Sequence, residues 1–453
     1  MVKNEKRQFS NLASTLEELI LVVDPAIATI LDKALGGQEV SIEEGTILFD
    51  VDGNALMALM ATADALRRRA VGDVVTYVVN RNINFTNVCI KRCGFCAFSR
   101  DHRQEEGYFL PLNEIIRRAQ EAWDLGATEV CIQAGLPPKM DGDLYVDLTR
   151  AIKEALPEMH IHGFSPEEVL YGSVRSKCSI PEYLKKLSEA GVGSLPGTSA
   201  EILHQDVRNR ISKGRITVAQ WTEVITAAHQ LGIPTTSTIM FGHVESAFDR
   251  ARHLGYLRNI QKATGGFTEF VPLSFIHSEA PMYMQNLVNG VRAGATGFDA
   301  IRMHAIARIM LHGYIDNIQC SWVKEGHKMT QVLLQSGCND VGGTLINESI
   351  STSAGSANGQ LTPPSELRRF IRDMGRLPAE RNTKYDILRV FDSEPEEPEP
   401  LDVAALDPSR FGSYHELIKL PQFRYNGERA PALHGPTLIE VMGKSGANEL
   451  NEH

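Results

Sequence analysis

The chain has 453 residues, is 43% hydrophobic and 23% charged, and carries a formal net charge of −10. That composition can bury a core without covalent staples, and its acidic balance argues against a general nucleic-acid or anionic-membrane binder, which needs a basic face. The most apolar early stretch, Leu19 to Leu31, is interrupted by Asp24-Pro25, and no apolar run of about 20 residues follows. No signal peptide or transmembrane helix is therefore expected, and the cytoplasm is the expected compartment.

Residues 1–72 read as a helical N-terminal segment. Asp24-Pro25 is an N-cap followed by a first-turn proline, and Ser41 with Glu44 has capping-box spacing. Leu56, Leu59, Met60, Ala63 and Leu66 recur at helical spacing. From Val74 the period changes. Eight short β-rich runs follow, at 75–84, 129–135, 160–165, 193–199, 234–242, 269–275, 317–322 and 339–343. Helical patterns separate them, among them Leu112–Leu125, Ile180–Ala190, Val218–Leu231, Thr296–His312 and Glu325–Gln335, with residues 364–375 offering the eighth helix. Strand–helix alternation implies parallel βαβ units, and eight of them predict an α/β fold, a (β/α)8 TIM-type barrel over 73–392; the alternative is an open doubly wound sheet. A barrel would carry its site at the C-terminal ends of the strands, with loops and the N-terminal helices expected to cap it. From Ser393 an acidic, proline-rich stretch reads as a linker, and 393–453 as a flexible tail whose removal after Asp392 is expected to be tolerated.

Seven cysteines make poor disulfide arithmetic, and three of them crowd into Cys89-Ile-Lys-Arg-Cys93-Gly-Phe-Cys96, directly after the first barrel strand. Thiolates ligate iron–sulfur clusters, normally one per iron, so three leave one iron open to chelate a small molecule. The competing reading is a structural zinc site in a binding or scaffold protein. Zinc wants a fourth ligand, and His102, the nearest candidate, is off the usual spacings. Cys131 and Cys320 read as core thiols, and Cys178 and Cys338 have no partner motif.

The CxxxCxxC spacing with Phe95 before the last cysteine resembles the radical S-adenosylmethionine (SAM) superfamily. The resemblance extends from about Leu16 to Tyr385, through Asn80-Arg-Asn-Ile-Asn-Phe-Thr-Asn87, Ile132-Gln-Ala-Gly-Leu136, His160-Ile-His-Gly-Phe-Ser-Pro-Glu167, Pro196-Gly-Thr-Ser-Ala-Glu201, Met240-Phe-Gly-His-Val-Glu245 and Asn339-Asp-Val-Gly-Gly-Thr344. These motifs are similar to a subfamily making deazaflavins and menaquinone precursors, and within it to the hydroxyphenyl-transferase subunits (subunit 2) of FO synthase. The resemblance implies a [4Fe–4S] cluster on Cys89, Cys93 and Cys96, SAM on the open iron, and Phe95 beside the adenine. It implies L-tyrosine and 5-amino-6-(D-ribitylamino)uracil as substrates on the way to coenzyme F-420, a second radical SAM subunit, and an electron donor such as flavodoxin or ferredoxin. Aminofutalosine synthase and futalosine cyclase share most of these motifs and are the rival readings. One departure is Gln133-Ala134-Gly135, where family members often carry two glycines after the glutamine; an alanine is tolerable there if its φ is negative.

The resemblance also suggests Glu201 as a SAM contact, against the alternative of a helix N-cap carboxylate. Gln133 and Gly135, at the end of the second strand, are candidate cofactor contacts, with Gln133 equally a barrel-layer filler. His160 and His162 point the same way from a strand and read as hydrogen-bonded wall or substrate contacts. His243 and Glu245 are substrate contacts or a solvated loop. A tyrosine carboxylate needs a cation, and Arg210, Lys213 and Lys324 lie near strand ends with nothing in the sequence to choose among them. Gly342-Gly343 is weak evidence for a phosphate turn. No residue is singled out as a catalytic acid or base.

Overall fold

A computed structural model of the chain describes residues 16–393 and 397–427. Its centre is a ring of parallel strands. β1 (Val74–Val78) and β2 (Asn80–Ile83) are the two halves of the first strand, broken at Val79; β3 (Glu129–Ile132) and β4 (His160–His162) follow. β5 (Thr235–Phe241), β6 (Phe267–Ser274) and β7 (Asp340–Gly343) continue the ring. The fourth and seventh barrel strands are short bridges at Ser194–Leu195 and Ile318–Gln319. The register runs Asn80 to Glu129, Glu129 to His160, His162 to Ser194 and Leu195 to Thr235. It continues from Thr235 to Phe267, Phe270 to Ile318 and Gln319 to Asp340, and Asp340 pairs back to Thr76. All eight expected strands are present, and the last pairing closes the ring, which excludes the open doubly wound sheet.

The outer helices turn apolar stripes to the ring, and several start on the same device. Ser165–Glu168, Ser179–Glu182, Thr217–Gln220, Ser246–Asp249 and Thr296–Asp299 form reciprocal capping boxes. Each satisfies two otherwise orphaned backbone donors and fixes where the chain leaves the preceding loop. No helix among the described residues is long and apolar enough to cross a membrane.

The N-terminal helices α1 (Pro25–Leu35), α2 (Ile42–Leu48) and α3 (Gly53–Val71) begin as expected, at Asp24 and at the Ser41–Glu44 capping box for the first two. Their place differs from expectation. They sheathe the outside of the barrel, α2 against helix Ala247–Thr264 and α3 against helix Gly297–Leu311. Gly45 permits that approach, since a Cβ there would lie 2.5 Å from Met310 Sδ. Arg258 and Arg302 donate to the carbonyls of Val40 and Val51 at 2.8 and 2.7 Å. Their apolar faces are spent on the barrel's flank, so they do not cap the strand ends.

Two further features shape the ends of the barrel. β8 (Leu377–Arg381) runs parallel to β1, and β9 (Ile387–Val390) folds back antiparallel. The turn between them floors the lumen. Arg381 grips Asp340 through Nε at 2.5 Å and Nη2 at 3.1 Å, Thr383 donates to Glu129 at 2.6 Å, and Tyr385 donates to Glu269. A polar lumen is tolerable because these groups satisfy one another. At the other end, residues 397–427 differ from the expected linker and tail. Leu401, Phe411, Tyr414, Leu417 and Tyr425 are buried in the main core. Phe109 N–H donates to Phe423 O, and Tyr425 N–H to Gly107 O, both at 2.8 Å. These apolar residues follow no period, so only tertiary contact shows that they pack. Residues 1–15 of the expected helical segment and 394–396 and 428–453 of the expected linker and tail lie outside the described residues.

Candidate active site

The cysteine loop emerges from β2 at the C-terminal end of the ring and is pinned on both flanks. Cys89 N–H donates to Arg100 O (3.0 Å), Arg100 N–H to Asn87 O (2.8 Å), and Ile90 N–H to Leu136 O (2.9 Å). Gly94 N–H donates to Ile211 O at 2.8 Å, and a Cβ on Gly94 would lie 2.9 Å from the Met282 Cβ. The three thiols lie near enough to act on one another electrostatically. Burial pushes Cys89 and Cys93 up, Cys93 to about 12, and the neighbouring cysteines add to the rise in both. Two donors already point at sulfur: Lys91 N–H to Cys89 Sγ (3.4 Å) and Arg215 Nη1 to Cys93 Sγ (3.7 Å). Thiols in such surroundings ionise when a cation displaces their protons, which is the donor chemistry an iron–sulfur cluster requires. His102 is turned outward beside Asp101. Among the described residues no three His, Cys, Asp or Glu side chains converge on a single-ion site.

Arg215, which the sequence reading passed over, organises the surroundings. It pairs with Glu201 Oε1 at 2.8 Å and Glu167 Oε2 at 3.4 Å, and its guanidinium stacks over the Phe95 ring at 5.3 Å. Arg208 adds a contact to Glu201 Oε2 at 3.3 Å. Glu201 sits in left-handed backbone, φ 38°, and the next helix does not start until Gln205, so the N-cap alternative for Glu201 is excluded. The only sequence signal for Arg215 was a basic Lys213-Gly214-Arg215 turn, which elsewhere is usually a solvated loop.

The second strand's exit is equally fixed. Gly135 N–H donates to Thr86 O at 2.8 Å, and any Cβ on Gly135 would meet Val88 O at 2.3 Å, so glycine is obligatory there. Ala134 is not among the positive-φ residues, which is why alanine is accepted at the departure from the family pattern. Its N–H donates to Glu168 Oε1 at 2.9 Å. Gln133 Nε2 donates to Thr198 Oγ1 at 2.7 Å.

A solvent-open cavity, about 680 Å³ with its open mouth included, lies beside the cysteine loop. Phe95, Cys96, Thr198, Glu201, Ser274 and Lys324 line it, with apolar walls from Met240, Phe275 and Ile276. The sequence's other candidates separate on this map. Arg210 donates to Asn289 O (2.8 Å) and Lys213 is exposed; neither lines the cavity. His160 and His162 share Ser194 Oγ at 2.8 and 2.7 Å, as a hydrogen-bonded wall. His243 and Glu245 are buried rather than solvated: Glu245 accepts from Gly242 N–H (2.7 Å) and pairs with Arg250 (2.6 Å), closing a turn. Gly343 is needed for packing, since a Cβ would meet Asn80 Oδ1 at 2.1 Å.

Comparison with known proteins extends this geometry. Residues 83–257 match the radical SAM superfamily, and residues 264–394 match the CofH/MqnC C-terminal region. A 5-amino-6-(D-ribitylamino)uracil–L-tyrosine 4-hydroxyphenyl transferase of Methanothermobacter thermautotrophicus is 49% identical over 356 residues, 79% of this chain and 96% of that protein. The chain belongs to this transferase family, within the radical SAM superfamily. The Methanocaldococcus jannaschii relative of the same name is 48% identical over 78% of this chain and 98% of its own. FO synthase of Mycobacterium tuberculosis is 48% identical over 75% of this chain but only 40% of its own length, so this chain matches part of that longer protein. Among solved structures, the FeFe-hydrogenase maturase HydG of Carboxydothermus hydrogenoformans superimposes with a TM-score of 0.63 at 15% identity, covering 94% of this chain and 98% of that one. Methylornithine synthase (PylB) gives 0.62 at 19% identity, covering 77% and 97%. These two likenesses concern the fold, and they agree with the barrel described above.

Proposed function

We propose that the chain is the radical SAM transferase that cleaves the Cα–Cβ bond of L-tyrosine and adds the 4-hydroxybenzyl group to carbon 5 of 5-amino-6-(D-ribitylamino)uracil, leaving 2-iminoacetate. The observation that carries this reading is 49% identity to a transferase of that name over 96% of its length. That likeness favours it over the futalosine-pathway readings, and membership of an enzyme family removes the zinc scaffold.

Cys89, Cys93 and Cys96 hold the [4Fe–4S] cluster in this proposal, with Phe95, Gln133, Gly135 and Glu201 disposed toward SAM. When bound there, the cluster and SAM would supply the radical chemistry that abstracts a hydrogen from the substrate. The chain's own residues do the rest. Arg215 holds Glu201 and Phe95 in fixed orientation beside Cys93. Gly135 lets the second strand close on the cysteine loop, and the apolar walls at Met240, Phe275 and Ile276 keep water from reactive fragments. The proposed partners are a second radical SAM subunit that closes the deazaflavin ring and a one-electron donor such as flavodoxin or ferredoxin.

The test is product analysis with anaerobically reconstituted, reduced protein. SAM and tyrosine should give 5′-deoxyadenosine and glyoxylate from 2-iminoacetate, and the diaminouracil should capture the hydroxybenzyl group as a covalent adduct. Deuterium from exchangeable tyrosine nitrogen, not from the benzylic carbon, should enter deoxyadenosine. Consumption of an enolpyruvyl benzoate with no use of tyrosine would overturn the reading in favour of the aminofutalosine branch.

A further inference from the structure

Lys324 stands apart from every other cation near the site. It is the one cationic residue among those lining the cavity, which it shares with Phe95, Cys96 and Glu201. Arg215, Arg208 and Lys91 are spent on Glu201 and Glu167. Lys324 is half-buried and makes no side-chain hydrogen bond or ion pair among the described residues. Its two acidic neighbours are turned to other donors. Glu348 accepts from Ser351 N–H through both oxygens, at 2.9 and 3.0 Å, and Glu325 accepts from Ser274 Oγ. A half-buried ammonium without a side-chain partner gains from an anionic ligand that completes it.

The backbone under Lys324 is held in place. Trp322 Nε1 donates to Gly343 O at 2.8 Å, Ser356 Oγ donates to Val323 O at 2.7 Å, and Asn358 Nδ2 donates to the same carbonyl at 3.1 Å. Helix Trp322–Leu334 then breaks its regular path at Gly326, φ 75°. The cation is therefore delivered to the cavity by a fixed turn, not by a loose surface chain. The walls around it, Leu273, Phe275, Ile276 and Ile350, are apolar. One cation facing an apolar chamber matches an amino acid with a large apolar side chain: a carboxylate at one end and a ring at the other.

We propose that Lys324 binds the α-carboxylate of the amino-acid substrate and so fixes the amino group and Cα–Cβ bond toward the Cys96 side of the cavity. This rests on the proposed use of tyrosine. The experiment uses anaerobically reconstituted holoenzyme with SAM, and equilibrium dialysis of labelled tyrosine and of tyramine, which lacks only the carboxylate. The unaltered protein should bind tyrosine at least about tenfold more tightly than tyramine, the range for a charge-assisted hydrogen bond. Lys324→Met should lose most of that preference by weakening tyrosine alone, Lys324→Arg should restore part of it, and the SAM dissociation constant should stay within about twofold. A purely structural lysine would change both ligands together, so an unchanged tyrosine-to-tyramine ratio in a folded, cluster-loaded Lys324→Met protein overturns the proposal. Selective loss of SAM affinity overturns it too, because Lys324 would then hold the SAM carboxylate. Failure of the unaltered protein to bind tyrosine at all would instead strike the functional reading on which it rests.

Discussion

At the scale of single residues, the proposed site takes its chemistry from the cysteines and its order from Arg215. One guanidinium touches Glu201, Glu167, the Phe95 ring and Cys93. Its removal leaves Glu201 to Arg208, and Glu167 to Lys91 and the Ile216 N–H. Arg215→Met should therefore cost about 2 kcal/mol of stability, in the range for an unsatisfied buried polar group, as read by denaturant unfolding of the metal-free protein. Arg215→Lys should recover little, because an ammonium can neither fork between two carboxylates nor stack on Phe95 as a planar ion. Cys93→Ala should abolish the cluster's visible absorbance and SAM cleavage together, since two thiolates cannot hold a site-differentiated cluster. A Cys93→Ala protein that still forms 5′-deoxyadenosine would remove that cysteine from the ligand set.

At the scale of elements, the site depends on ties between strand exits and helix starts. Helix Pro166–Ser176 opens on the Ser165–Glu168 capping box, and the same Glu168 reaches Ala134 N–H at the exit of β3. One buried carboxyl thus locks a helix start to the segment carrying Gln133 and Gly135. Burial pushes its pKa up to about 7 against an ordinary value of 4.5. The folded state then holds a proton that the unfolded chain has lost between those values. Stability from this group is full below about pH 4.5, falls as pH rises toward 7, and is gone above it. Glu168→Gln keeps the shape without the titration. Its melting temperature should decline less than that of the unaltered protein between pH 5 and 8, a difference of up to about 3 kcal/mol at full loss. Parallel melting curves for the two proteins across that range would show that Glu168 is not the titrating group.

At the scale of the whole molecule, the top of the barrel is covered by chain distant in sequence. Tyr414 receives a hydrogen bond from Asn87 Nδ2 at 3.5 Å, donates to Phe98 O at 3.2 Å and packs its ring 5.5 Å from Phe98, so it braces the cysteine loop on both sides. Asn347 Nδ2 donates to Phe411 O at 2.7 Å, tying the same segment to the loop after β7. Truncation after Asp392 removes these contacts and bares Phe98 and Phe109. Contrary to the tolerance expected from composition, the shortened protein should aggregate or fail to take up a stoichiometric cluster, measured by iron and sulfide content per chain. A truncated protein with full cluster content would show that the cover is dispensable. The N-terminal helices, by contrast, spend their apolar faces on the flank formed by helices Ala247–Thr264 and Gly297–Leu311, so changes there should act on stability and leave ligand affinities unmoved.

The sequence by itself determined the parts whose signal is local. Period-2 and period-3.6 patterns gave eight strands and the helices between them, capping residues gave helix starts at Asp24 and Ser41, and the spacing of Cys89, Cys93 and Cys96 gave the motif on which the proposed cluster rests, because each is written within one turn or one loop. Only the tertiary structure decided which distant charges meet. Arg215 rather than Lys213 faces Glu201, Lys324 rather than Arg210 enters the cavity, and Arg381 crosses the floor to Asp340. A charged residue near a strand end looks the same in sequence whether it is solvated or buried against a partner. Its role is set by what the chain brings opposite it. Packing of 397–427 was hidden for the same reason, since scattered apolar residues among prolines carry no period, and the barrel surface that buries them draws on loops as distant in sequence as Asn87 and Phe98.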